Sequence, residues 1–366
     1  MVYKEGMHIP PPLKTRGRGA MENPAGRFER LDYEADGDAL DAPVEEEFEC
    51  GSQRKTEIYR DATRSIVSTN DSPDVGMDTS LNPYRGCEHG CIYCFARPTH
   101  EYLGMSVGLD FETKIFAKPD APLLLEQKLS SRGWEPRAVF MSGATDPYQP
   151  IERRLGITRQ CLEVFARFRN PVGIITKNHL VTRDADLLGD LARDNAGMVN
   201  MSVTSLERSL ARNMEPRAST PPMRLKAIET LAKAGVPVNV MIGPVLPGLT
   251  EHEIPAILQS AADAGARSAG FTMLRLPYGV KDIFQTWLRE HYPDRADKVL
   301  NRVRDVRGGK LNDSTFGDRM RGNGFYAEQI AQIFYASRKK SGLTNPIILS
   351  ADAFRVPGRA QQMELF

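Results

Sequence analysis

Three of the chain's five cysteines fall within eight residues, in Cys87-Glu-His-Gly-Cys91-Ile-Tyr-Cys94. Thiolates at this C-x3-C-x2-C spacing can converge on one metal centre. A [4Fe–4S] cluster normally takes four cysteines, so three leave one iron open to an outside ligand. Structural zinc instead completes four protein ligands. His89 is the candidate for a fourth, but inside the loop it points away if the flanking thiolates converge. The spacing favours the cluster and leaves zinc as the alternative.

The elements that must position this loop follow an alternating pattern. Short apolar runs occur at 139–142, 172–176, 198–203, 236–242 and 269–274, separated by helical patterns near 121–131, 158–169, 183–194, 221–234 and 251–265. Leu162, Phe165 and Phe168 repeat at helix spacing, as do Leu225, Ile228 and Leu231. Repeated β-α units predict an α/β fold with a parallel sheet and helices outside it. A first strand near 79–84 would feed the cysteine loop and complete six strands, an open, TIM-like (β/α)6 partial barrel. Its ligand site belongs at the C-terminal strand ends. The expected units are an N-terminal extension (1–75), a core (76–280) and a small, mostly helical appendix (281–366). The appendix has helices near 281–290, 295–304 and 325–338, and it can cap the barrel's open side.

The cysteine spacing, with Tyr93 before the last cysteine, resembles the radical S-adenosylmethionine (SAM) superfamily. That resemblance implies a [4Fe–4S] cluster on Cys87, Cys91 and Cys94, with SAM chelating the open iron. It also implies an electron donor such as flavodoxin or ferredoxin. Ser142-Gly143-Ala144-Thr145-Asp146-Pro147 resembles the glycine-rich strand end of these proteins, where small residues let backbone approach SAM. At the following strand ends, Thr176-Lys177 and Ser202 offer an ammonium for the SAM carboxylate and a hydroxyl for its amine or ribose. Arg217 offers a planar fork for a carboxylate, and Glu215 can bond ribose hydroxyls or orient Arg217.

Thr176-Lys177, the Ser202 strand, Glu215-x-Arg217, Ala232-Lys-Ala-Gly-Val-Pro237 and Gly243-Pro-Val together resemble the spore photoproduct lyase group, over roughly 80–275. The resemblance implies SAM contacts at Lys177, Ser202 and Arg217, and places Tyr93 near the radical path. It implies nucleic acid, most simply a damaged or modified base in DNA, as substrate. One departure matters. The spore lyase returns hydrogen from a cysteine at its second strand end, yet residues 140–146 contain none. Tyr148 and Cys161 are the alternative donors, and Cys161 would have to face the barrel interior.

Composition agrees with a soluble globular chain of 366 residues, 41% hydrophobic, with no apolar run of membrane-span length. The start lacks an apolar signal core, and clustered cysteines do not read as a disulfide framework. A cytoplasmic setting is expected. Charge is uneven: residues 1–80 hold 10 basic against 17 acidic side chains, and the remainder 38 against 30. A body with net +8 attracts a polyanion. Nine acidic and no basic residues between Asp32 and Glu49 predict disorder, and Cys50 reads as a bystander. The chain ends Gln362-Met-Glu-Leu365-Phe366, which resembles a bacterial sliding-clamp-binding peptide with Leu365 and Phe366 as apolar anchors.

Overall fold

The computed structural model describes residues 17–28 and 55–358. The acidic stretch 32–49, Cys50 and the clamp-like residues Gln362, Leu365 and Phe366 lie outside the described residues.

The described strands begin with β1 (Glu57–Arg60), β2 (Val67–Thr69), β3 (Thr79–Leu81), β4 (Tyr84–Arg85) and β5 (Lys114–Ala117). They continue with β6 (Val139–Met141), β7 (Val172–Thr176), β8 (Gly197–Ser202), β9 (Val238–Val245) and β10 (Ser268–Met273). The main sheet has the order β10-β9-β8-β7-β6-β3-β2. From β3 to β10 its neighbours are all parallel and follow chain order. This is the six-stranded core of an open (β/α)6 barrel, as the alternation of runs predicts.

Burial on both faces explains why these strands read as continuous apolar runs rather than alternating ones. Every residue of β8 is buried. The helices show the complementary pattern. Ile157–Phe168 turns Ile157, Cys161, Leu162, Val164, Phe165 and Phe168 inward at i, i+3 and i+4 spacing. Helices Ala121–Ser130, Ala185–Ala192, Pro221–Lys233 and Ile254–Asp263 complete the outer layer. Two of the expected helices start late because their first turns, His179–Asp184 and Glu251–Glu253, are 3-10.

Two features were not anticipated. β2 pairs antiparallel to β3 at the sheet edge. β5 pairs parallel to β1 and antiparallel to β4, forming a small second sheet beside the cysteine loop. The core therefore begins earlier than residue 76. The described parts of the 1–75 extension, residues 17–28 and 55–75, are packed structure.

The appendix carries the expected helices Val280–His291, Ala296–Asp305 and Gly324–Lys340. Val280, Phe284 and Trp287 share a core with Ile92, Tyr93, Leu210, Met214 and Leu246, so the first of these helices backs the cysteine loop. Gly324–Lys340 lies over β10, with the Phe334 ring 4.6 Å from that of Phe271. The free side of β10 is met by arginines rather than by another strand. Buried Arg307 donates to the carbonyls of Met273 and Leu274, at 3.3 and 2.5 Å, and Arg321 to that of Phe271, at 3.2 Å. Residues 346–350 form no strand and are held by single contacts such as Ser350 N to Asn195 O, 2.9 Å. No described helix is long and apolar enough to cross a membrane.

Candidate active site

The cysteine loop leaves β4 and is fixed at both ends. Cys87 N donates to Phe111 O at 2.9 Å, and Ile92 N to Met214 O at 3.0 Å. Arg97, fully buried, donates to the carbonyls of Cys91, Val107 and Gly108 at 2.9–3.0 Å and pairs with buried Glu112 at 2.5 Å. Cys87 and Cys91 are buried, and half-buried Cys94 packs against the apolar clusters that contain them. Burial pushes the Cys87 thiol up, and nearby Asp146, Cys91 and Cys94 push it further. Burial and Glu215 likewise push the Cys91 thiol up, against the pull of Lys177 and Arg224, and a positively charged centre would stabilise such thiols as thiolates.

An N-terminal strap, residues 17–28, crosses the loop. Glu112 accepts from Gly19 N and Ala20 N at 2.9 and 2.8 Å, and Arg18 donates to Glu112 O at 2.7 Å. A β-carbon on Gly19 would stand 1.8 Å from Gly90 O, inside the cysteine loop. Only glycine permits this approach. Gly19→Val is expected to lift the strap at a cost of ~1–3 kcal/mol for overpacking. The measurement is iron per chain after anaerobic reconstitution, with its rate of loss in air. Wild-type values for both would show that the strap does not hold the loop.

His89 settles one alternative. Its Nδ1 lies 3.3 Å from Asp146 and its Nε2 3.1 Å from the Asn178 amide. With both nitrogens engaged, His89 is not a fourth ligand for zinc. Among the described residues no three His, Cys, Asp or Glu side chains are grouped to hold a single ion.

Asp146 is the hub of the strand ends. It accepts from Thr176 Oγ1 at 2.7 Å and from the backbone N–H groups of Lys177 and Tyr148, both at 2.8 Å. Burial alone would raise its carboxyl, but His89 and these donors hold it below the ordinary range. The Thr176 hydroxyl is thereby committed to Asp146. Lys177 is left with its ammonium 5.8 Å from the centre of the Tyr93 ring and, among the described residues, without an ion pair. At the β6 end, Ser142 and Gly143 have φ of 152° and 122°. A β-carbon on Gly143 would meet nothing nearer than Asn82 at 4.0 Å, so the space before this backbone is open.

Glu215 and Arg217 do not act as expected. Glu215 is buried and accepts from Tyr93 Oη, Thr204 Oγ1 and Arg224, which also donates to Ser202 O at 3.1 Å. Glu215 therefore neither orients Arg217 nor turns its carboxylate to a ligand. Burial would raise its pKa, but Arg224 and Lys177 bring it below the usual value. Burial and Glu215 both push the Tyr93 phenol up, so it stays protonated. Arg217 instead pairs with Glu88 at 3.1 Å, and Glu88 accepts from Thr56 Oγ1 at 2.6 Å. Ser202 lies buried at the end of β8.

Tyr148 and Cys161 sit in the core between sheet and helices. The Tyr148 hydroxyl is committed to Asp184 at 3.0 Å. Cys161 is on the inner face of its helix, its thiol raised by burial and by Glu152. The residues that sequence reasoning missed are Asp146, Asn178, Thr204, Arg224, Arg97, Glu112 and the strap. Asp146 lay within the strand-end segment but reads equally as a turn residue before proline. The others carry no local signal.

Residues 81–261 match the family model of the Radical SAM superfamily. An uncharacterized protein of Mycobacterium tuberculosis is 31% identical over 284 residues, 77% of this chain and 80% of its own length. An uncharacterized protein of Methanocaldococcus jannaschii is 25% identical over 249 residues, 68% of this chain and 89% of its own. Among solved structures, spore photoproduct lyase complexed with dinucleoside spore photoproduct superimposes with a TM-score of 0.55 at 16% identity. That match covers 77% of this chain and 79% of the other.

Proposed function

Because the chain belongs to the radical SAM superfamily, we propose that Cys87, Cys91 and Cys94 hold its [4Fe–4S] cluster and that its substrate is a modified or damaged nucleobase. Enzymes of this superfamily use such a cluster together with SAM. When bound, the cluster supplies the electron that splits the SAM sulfonium and yields a 5′-deoxyadenosyl radical.

The chain's own residues divide the remaining work. Lys177, which has no ion pair among the described residues, would meet the SAM carboxylate. The open backbone at Ser142 and Gly143 receives the methionyl end, and buried Ser202 closes that side. Asp146 holds Lys177 and His89 in place. Glu215, tied to Arg224, fixes the ring of Tyr93 between the cysteine loop and Lys177. Arg217 braces the loop through Glu88. Tyr148 and Cys161 are left as packing residues. One observation carries this reading: three clustered cysteines, two of them buried, lie near a lysine at a parallel strand end that has no ion pair among the described residues.

The nucleobase part rests on three supports. The barrel is shared with spore photoproduct lyase over most of both chains. The body after residue 80 has eight more basic than acidic side chains. Aromatic and basic side chains also sit beside the last cysteine of the loop. Residues 140–146 contain no cysteine, so the proposed reaction differs from the spore lyase's in its hydrogen donor. A reduced flavodoxin or ferredoxin in the cytoplasm would serve as electron source.

The test is anaerobic incubation of reconstituted protein with SAM and reductant, with lesion-bearing DNA, tRNA or nucleic-acid-free metabolite extract added in turn. The expected result is 5′-deoxyadenosine above the substrate-free rate with nucleic acid only. A response confined to the metabolite extract would refute the nucleobase reading while leaving the radical chemistry intact.

A further inference from the structure

Resting on the nucleic-acid reading above, we propose that Phe95, Arg275 and Phe316 form a seat for single-stranded nucleic acid at the barrel mouth. Arg275 takes a backbone phosphate and the two phenyl rings take bases.

Phe95 directly follows the last motif cysteine and is 50% exposed. The Arg275 guanidinium lies 5.2 Å from its ring centre. Arg275 stands just beyond the end of β10, and its hydrogen bond is to the Met320 thioether, a weak acceptor, at 3.6 Å. No carboxylate lies within ion-pair reach of Arg275 among the described residues. Burial and the like charge of Arg319 both lower its pKa, so the folded chain holds this cation at a cost that an incoming anion would offset.

Arg319, one residue from Met320, is in the opposite situation. Asp74 accepts from Arg319 Nε at 2.8 Å and from Gly317 N at 2.9 Å, and the pairing holds Asp74 down at about 2. This neutralised pair fixes the turn that presents Phe316, 58% exposed, with the Arg319 guanidinium 4.5 Å from its ring centre. Phe95 and Phe316 are thus exposed rings each beside an arginine, and Met320 links Arg275 to the turn that carries Phe316 and Arg319. Base-on-aromatic stacking needs bases free of a duplex, and it is indifferent to sequence because every base has a π-face. An arginine near such rings, with no carboxylate in ion-pair reach among the described residues, fits a single strand or an unpaired site. Phe95 lies within the matched segment 81–261, and Arg275 and Phe316 lie beyond it.

Fluorescence anisotropy of a short labelled oligonucleotide on the reconstituted full-length protein tests this, as single strand and as duplex, over a salt series. Arg275→Ala should weaken single-strand binding about tenfold or more and reduce the salt slope by about 0.7, the share of one phosphate on a single strand. Phe316→Ala should weaken binding about fivefold or more with the salt slope unchanged, as expected for loss of stacking. Phe316 is exposed, so its truncation tests the seat even if Arg275→Ala folds poorly. Iron content and melting temperature report on folding. Wild-type affinity and slope in both variants would overturn the seat while leaving the nucleic-acid reading in place. Tighter binding of duplex than of single strand would also overturn it. No binding of either form by the wild type would instead refute the nucleic-acid reading itself.

Discussion

Cys91→Ala protein, reconstituted without oxygen, is expected to lose most of its iron and to form no 5′-deoxyadenosine above a protein-free control. Cys91 is the middle member of the trio, and its neighbours cannot replace it. Cys87 and Cys94 are already members of the trio, His89 is committed to Asp146 and Asn178, and Cys161 lies in the sheet–helix core. Cys161→Ala is the matched control, because it also removes a buried thiol and should retain wild-type iron. Undiminished SAM cleavage by Cys91→Ala would refute the ligand assignment. Equal iron loss in both variants would mean that general core damage, and not ligation, was being measured.

The second large effect is on stability. Arg224→Met should destabilise the fold by about 3–5 kcal/mol, the usual consequence of removing one partner of a buried ion pair. Glu215 would remain in the core with the Tyr93 and Thr204 hydroxyls and the more distant charge of Lys177, and Ser202 O and Ser219 O would lose a donor. Denaturant unfolding of the iron-free protein provides the measurement. Adding Glu215→Gln to Arg224→Met should recover part of the loss, since no buried charge then remains. A single variant as stable as the wild type would show that Glu215 can reach solvent or another cation.

Most of the barrel could be read from the chain because burial on both faces gives parallel strands an unbroken apolar signature. At 172–176 the expected and observed strands coincide, and at 198–203 they differ by a residue at each end. The trio of cysteines was readable for another reason, since ligands for one centre were close in sequence. The rest of the site lacks that proximity. Arg224 and Glu215 are nine residues apart and look like a surface pair, until the helix starting at Pro221 turns the guanidinium inward to Ser202 O. Glu112 meets Gly19 from 93 residues away, and nothing local distinguishes it from any other acidic residue. The strap falls within the 1–75 extension, and its Gly, Pro and charged residues give no periodic signal. Its order comes from contacts that composition does not encode.

The arginines along β10 have a consequence for how the protein behaves in a crowded solution. A barrel that stops at six parallel strands has two raw margins, each able to recruit a stranger's backbone. β2 shields one margin by running the other way. On the other, Arg307 and Arg321 occupy the carbonyls of Phe271, Met273 and Leu274, and Thr344 bridges to Ser268. Shortening the chain after β10 would unmask that margin, and the product should self-associate into sheet-rich aggregates instead of yielding a minimal catalytic core.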